Sequence, residues 1–351
     1  MKKIWFLTLL LLTLPLIGQG QVQKKQKAVL RIPIAFYNVE NMFDAQKGPN
    51  NDIEFTPNGS NRWTQEKYER KLHNIARVIS EIGGHGPAVM GLAEVENRGV
   101  VEALTTQPAI AHHHYQIVHY ESPDKRGIDC ALIYNPDIFK LCSSGVKKVD
   151  LGPNGWPTRD VLFASGTIDG EMFHFIVCHW PSRAGGETVS APRRMQAALT
   201  TKHVADSLLS AHPGSKVIMM GDLNDDPVSP SVRKGIGIKN HPDNLAEKDY
   251  FTPMLRIYNK GLGTLAYRDA WNLFDIMIVN GALLGADRNT FKLEKDPKTG
   301  DYAHIFRKDY LVQQDGNYKG YPYRMLQGGR FQKDGYSDHF PVYLFLTKAI
   351  Y

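Results

Sequence analysis

Apolar positions along this chain fall into short runs separated by polar, glycine-rich stretches. Runs at residues 29–37, 88–93, 130–134, 173–178, 217–220, 276–279 and 342–346 are rich in β-branched and aromatic residues. Their length and composition predict buried strands. Two longer stretches carry helical spacing instead. Over 64–82, Tyr68, Leu72, Ile75, Ile79 and Ile82 share one face, Thr64 is placed to cap, and Gly83-Gly84 end the pattern. A second helix is predicted to start at Pro192, a favourable first helical residue, and to run through Met195, Leu199 and Leu208 until Pro213. Residues 228–263 and 284–336, rich in Gly, Pro, Lys and Asp, read as long surface excursions. No internal repeat, low-complexity tract or linker interrupts the chain, so residues 21–351 are expected to form one domain.

Composition and charge add limits. With 351 residues, 42% hydrophobic and 22% charged, the chain is neither disordered nor fibrous in character. Lys2 and Lys3 precede an almost unbroken apolar run from Ile4 to Leu14, followed by the small residues Gly18 and Gly20. That order predicts a secretory signal peptide over 1–20, cleaved near Gln21, and the run is too short for a comfortable membrane span. A secreted or periplasmic protein with no stable span after cleavage is the expectation. The formal net charge of +6 becomes +4 once Lys2 and Lys3 are removed (6 − 2 = 4), a surplus compatible with a polyanionic substrate without requiring one. Cys130, Cys142 and Cys178 do not make a disulfide framework, although an oxidising compartment leaves room for one bridge.

Chemistry is concentrated where the apolar runs end. Residues 34–37 run into Asn38, 89–93 into Glu94, 173–178 into His179, and 217–220 through Gly221 into Asp222, Leu223 and Asn224. Four strands ending in such side chains set them along one edge of a sheet, where α/β folds bind ligands. Any one of these residues alone reads as a turn or cap. Five such pieces in order, counting Ser337-Asp338-His339 before the last strand, do not.

The set Tyr37-Asn38-Val39-Glu40-Asn41, Ala93-Glu94-Val95, His179-Trp180-Pro181-Ser182-Arg183, Gly221-Asp222-Leu223-Asn224, Phe274-Asp275 and Ser337-Asp338-His339 resembles the endonuclease/exonuclease/phosphatase superfamily over residues 31–346. His-Trp-Pro-Ser-Arg with Gly185-Gly186-Glu187 looks like a secreted bacterial branch of it. The resemblance implies a four-layer α/β/β/α sandwich with two packed mixed β-sheets flanked by helices. It also implies a metal-dependent phosphoesterase. A hard cation that neutralises phosphate charge wants oxygen ligands, and the resemblance assigns metal binding to Asn38, Glu94 and Asp338. Mg²⁺ is the expected ion, with Mn²⁺ as the alternative. By the same resemblance His339 activates or orients water, Asp275 holds its imidazole, Asp222 and Asn224 position water and the phosphoryl oxygen, and His179 meets the leaving oxygen or the phosphate.

Further expectations come from position. Asp129, at the start of a predicted strand, is the expected carboxylate partner of His179. Arg183 and Arg268 are expected to contact substrate, since guanidinium matches phosphate in a bidentate way. Arg193 and Arg194 fit either that role or a solvated surface, and Trp271 is expected in the core. His112-His113-His114 reads as a solvated loop, Asp225-Asp226-Pro227 as a turn, and Gly83-Gly84-His85-Gly86 follows a helix rather than preceding one, which excludes a phosphate cradle. The leading expectation is a monomeric endonuclease acting on DNA or RNA. The alternatives are a phosphatase or sphingomyelinase-like phosphodiesterase, and a non-catalytic binding module. A nuclease should show a track of Lys and Arg beside the metal, a lipid enzyme an exposed aromatic hairpin, and a phosphatase a closed pocket.

Overall fold

The computed structural model describes residues 28–153 and 155–350. The predicted signal peptide at 1–20 lies outside the described residues. All seven apolar runs form strands. In chain order the first eight strands are β1 (Ala28–Met42), β2 (Val89–Val95), β3 (Gln116–His119), β4 (Asp129–Tyr134), β5 (Phe139–Lys147), β6 (Val161–Ile168), β7 (Glu171–His179) and β8 (Lys216–Asp222). Two seven-stranded mixed sheets result. In one, the C-terminal strand Val342–Ile350 pairs antiparallel with β1, β1 runs parallel to β2, and β4 and β3 follow antiparallel. The other has the order β5-β6-β7-β8 followed by Asp275–Asn280, with β7 and β8 parallel.

Alternation along β1 shows how the layers stack. Ile34 and Phe36 enter the core between the sheets, while Ala35, Tyr37 and Val39 join the second core, under helices α1 (Gln65–Glu81) and α2 (Arg98–Thr105). On the far side, α3 (Glu187–Ala211) covers the second sheet through Ala197, Ala198, Ala205 and Leu209. The order helix, sheet, sheet, helix is the expected four-layer sandwich. The sheets approach so closely at Gly91 that a Cβ there would lie 2.9 Å from the Met220 sulfur.

Several local expectations change. The long helix begins at Glu187, so Pro192 lies in its second turn. Pro192 has no N–H to give the carbonyl of Thr188 one turn earlier, so the amide ladder is interrupted there, while at the helix start Ser190 Oγ donates to Gly186 O at 2.7 Å and Arg194 Nη2 to Glu187 O at 3.0 Å. The excursions are not confined to the surface, because Val232, Ile236, Met254, Leu311 and Met325 are buried. All three cysteines are free, with Cys130 and Cys178 buried. No helix among the described residues is long and apolar enough to cross a membrane.

His174 on β7 predicts a pH response of the fold. It is fully buried, and its Nδ1 meets Ser165 Oγ at 2.7 Å. Burial, aided by neighbouring His212, lowers its pKa to about 4. The unfolded chain binds this proton near pH 6.5, so the neutral ring's contribution is complete above that value and is lost as pH falls toward 4. At one pKa unit per 1.36 kcal/mol the loss is about 3 kcal/mol. Urea unfolding at stepped pH should therefore give a flatter profile over that window for His174→Gln than for the parent. Parallel profiles would refute the assignment.

Candidate active site

Strand register builds the site. His179 and Asp275 both pair with Asp222 across the second sheet, and Asn38 pairs with Ala93 across the first. The parallel pairs β1/β2 and β7/β8 end at the same rim, with the two sheets face to face. Bulges interrupt pairing between Asn38 and Met42 and between Ala93 and Val95, and a bulge re-aims the side chain it carries. Glu40, Asn41, Glu94 and Asn224 all have positive φ, between 48° and 65°. Such conformations cost energy in residues other than glycine and gather where the surrounding fold enforces them. These four stand at one rim.

Six of the eight predicted centre residues are buried, and Asn224 and Asp338 are partly exposed. Asn38 Nδ2 donates to Asp222 Oδ2 at 3.0 Å. Asp222 Oδ2 also lies 3.6 Å from His179 Nε2 and 3.8 Å from His339 Nε2, so this carboxylate stands between the two imidazoles. Asn224 donates its backbone N–H to Asp222 Oδ1 and its side chain to Trp180 O, which fixes the turn after β8. His339 Nδ1 is 2.7 Å from Asp275 Oδ2, and its Nε2 is 3.8 Å from Asp338 Oδ1. Burial opposes charge on His339, but Asp275 and Asp222 outweigh it and raise its pKa well above the usual value. His179 behaves oppositely: burial and the Arg159 charge lower its pKa well below the histidine range. Burial raises the Asp222 pKa to about 6 against the pull of His339.

Glu94 Oε2 accepts from Asn41 N at 3.0 Å and from Arg126 Nη2 at 3.2 Å, while Oε1 is 3.9 Å from His179 Nε2 and makes no hydrogen bond among the described residues. Burial works against its charge, yet Arg126 and His179 keep the pKa low. The donor set of Glu94, Asp338 and Asn38 is all oxygen and carries two negative charges, which fits a hard divalent ion.

Several residues that local sequence did not reveal complete this rim. Arg324 binds Glu40 through both Nε and Nη2 and reaches Asp338 Oδ2 at 3.3 Å. Glu40 Oε2 accepts from Asp338 N at 3.1 Å. Buried Lys71 donates to Tyr336 O. Burial and Asp338 push Glu40 up to about 7, and burial pulls Lys71 down to about 8 against the attraction of Glu40. The Asn38-x-Glu40 spacing was visible in sequence, but nothing local pointed to Lys71, Arg126 or Arg324.

Other expectations are corrected. Asp129 does not orient His179. Its Oδ2 meets His119 Nε2 at 3.0 Å and its Oδ1 accepts from Ser122 N. Strand alternation places Asp129 on the face of Ala131 and Ile133, away from the inter-sheet face of Cys130. His179 Nδ1 has no partner among the described residues. His119, Glu121 and Asp129 bring three ligand atoms within 4.8 Å, a grouping that shares no residue with the Glu94 site. Arg183 is committed to protein: it donates to Asn224 O and pairs with Glu187, Asp225 and Asp226 over the Phe274 ring. Arg194 is fully buried against Asp225 at 2.8 Å, so it is neither a surface residue nor a substrate contact, and Asp225 and Asp226 anchor this cluster rather than a simple turn. Trp271 is 39% exposed, stacked on Phe340. Arg268 lies on the exposed hairpin formed by Leu265–Tyr267 and Ala270–Asn272, beside Tyr267.

Solved structures share this architecture at low identity. Truncated Caenorhabditis elegans TDP2 aligns with a TM-score of 0.53 at 14% identity, over 90% of this chain and 97% of that one. D. rerio TDP2 complexed with single strand DNA product gives 0.53 at 12%, over 90% and 98%. A Bacteroides thetaiotaomicron mannosyl-6-phosphatase gives 0.53 at 15%, over 91% and 100%. At such identities the likeness is one of fold. No curated protein sequence matches the chain. The sequence model of the Endonuclease/Exonuclease/phosphatase family matches residues 33–348, nearly the whole described chain, and the protein belongs to that family of metal-dependent phosphoester hydrolases.

Proposed function

We propose that the protein is a secreted, Mg²⁺-dependent phosphoesterase, one catalytic domain working as a monomer at the rim described above. The observation that carries the reading is the convergence on Asp222 of two imidazoles in opposite electrostatic states beside an oxygen-only donor set. Asn38, Glu94 and Asp338 would hold the metal, with Mn²⁺ as the alternative ion. When bound, the ion neutralises phosphoryl charge and polarises the ester. The protein's own groups do the rest. Asp275 holds the His339 ring by accepting from Nδ1–H, which leaves Nε2 facing the cleft to orient the attacking water or, once deprotonated, to activate it. His179, kept neutral, meets the leaving oxygen or the phosphate, and Asp222 and Asn224 hold water and the phosphoryl oxygen between the two rings. Secretion rests on the pattern of residues 1–20.

A polymeric nucleic acid would need a run of available cations beside the rim. The arginines here are largely spoken for: Arg126 by Glu94, Arg324 by Glu40 and Asp338, Arg159 by Asp124, and Arg183 and Arg194 by Asp225. This favours a small phosphate ester over DNA or RNA. The test is a panel on the mature protein comprising a chromogenic phosphate ester, nucleotides, sugar phosphates, plasmid DNA, RNA and sphingomyelin, each with Mg²⁺ and with chelator. The expected result is Mg²⁺-dependent turnover that chelator abolishes. No metal-dependent turnover on any member would sink the enzyme reading in favour of a binding module.

A further inference from the structure

A groove of about 430 Å³ opens beside the proposed metal site and shares Asp338 and Arg324 with it. Its other walls come from the hairpin residues Tyr267, Arg268 and Asp269 and from Tyr318 and Tyr321. We infer that this groove holds the hydroxyl-rich ring of a phosphorylated sugar, so that the substrate is a small sugar phosphate. The inference rests on the phosphoesterase reading, since Asp338 is what places the ester group in the groove.

Size, charge and surface chemistry agree on this class. The volume lies at the small end of ligand sites, which span about 300–1,000 Å³. Charge balances: Arg268 and Arg324 face Asp269 and Asp338, and Arg324 is already bound to Glu40. A nucleic-acid strand needs a cationic groove as well as stacking faces, whereas a sugar ring needs apolar faces plus neutral and acidic hydrogen-bonding groups. Tyr267 and Tyr318, 63% and 45% exposed, offer such faces together with hydroxyls. Asn317 and Gln327 add amides that donate and accept at once.

The hairpin turn supports the assignment. Arg268 and Asp269 both have positive φ, 50° and 63°, in a two-residue turn that ordinarily selects Asn-Gly. Tyr321 accepts from Asp269 N at 2.6 Å and donates to Asp269 Oδ1 at 2.7 Å, which leaves Oδ2 with no hydrogen bond among the described residues. The strained turn thus presents a fixed carboxylate oxygen beside tyrosine faces.

Two measurements test the inference. In saturation-transfer NMR with a hexose 6-phosphate, run in chelator to prevent turnover, the sugar ring protons should receive magnetisation from the protein, and Tyr318→Ala should remove most of it. In steady-state kinetics with Mg²⁺, Tyr318→Ala and Asp269→Asn should each raise KM for the hexose phosphate about tenfold with kcat within about twofold, the size of one lost contact near 1.4 kcal/mol. Both positions lie outside the two buried cores, so folding should be retained and circular dichroism checks it. A single-stranded oligonucleotide or sphingomyelin in vesicles turned over with higher kcat/KM than every sugar phosphate would overturn the inference, the second because the groove's wall is an exposed aromatic hairpin. So would an unchanged KM in both variants. Ring contact in the NMR experiment without turnover on any ester would support the groove and defeat the phosphoesterase reading instead.

Discussion

Replacing His339 with alanine is expected to lower kcat on any accepted ester about a thousandfold, in the middle of the range for losing a positioned acid–base group. Nε2 is the ring nitrogen left facing the cleft, because Nδ1 is held by Asp275 at 2.7 Å. The same nitrogen lies 3.8 Å from both Asp222 and Asp338, so a water between these groups has the imidazole on one side and carboxylates on the other. Asp275→Asn should reproduce much of the loss with the ring still present, since an amide no longer fixes the tautomer. Single-turnover kinetics at saturating Mg²⁺ separates the chemical step from binding. Full activity in His339→Ala would remove the ring from the mechanism. A drop in His339→Ala with none in Asp275→Asn would leave the ring but discard the orienting role.

Much of this site was legible in the chain before any fold was known. Asn38, Glu94, His179 and Asp222 each stand at the end of an apolar run, and a buried strand that stops on a polar residue delivers it to a sheet edge whatever the topology. Their convergence follows from two parallel pairings, β1 with β2 and β7 with β8, which aim all four ends the same way. What was not legible depends on register and on long-range approach. Asp129 missed His179 because one residue of strand alternation decides its face. Arg183 and Arg194 looked available because their partners Asp225 and Asp226, read as a turn, lie more than thirty positions later in sequence. The Glu40–Arg324 pair joins residues 284 positions apart, and no local pattern announces such a contact. Trp271 leads into an apolar run, yet it belongs to a separate two-stranded hairpin and is left partly exposed.

Glu94→Gln is the second large effect. The substitution preserves shape and removes charge from the residue the metal reading relies on most. Turnover should fall by about two to three orders of magnitude at fixed Mg²⁺, the scale of several kcal/mol of charge stabilisation. The fold should tolerate the change. Glu94 sits at a bulge with φ of 65°, a conformation set by the pairing of β2 with its neighbours, and glutamine retains an oxygen to accept from Asn41 N. Arg126 loses its carboxylate but is half exposed and keeps Asn41 Oδ1. Activity measured against Mg²⁺ concentration discriminates the roles. If Glu94 holds the ion, the half-activating concentration rises at least about tenfold and high Mg²⁺ restores part of the rate. A uniform loss with unchanged half-activation would mean that Glu94 acts on substrate or on His179 Nε2, and the metal would then have to be assigned to Asp338 and Asn38 without it.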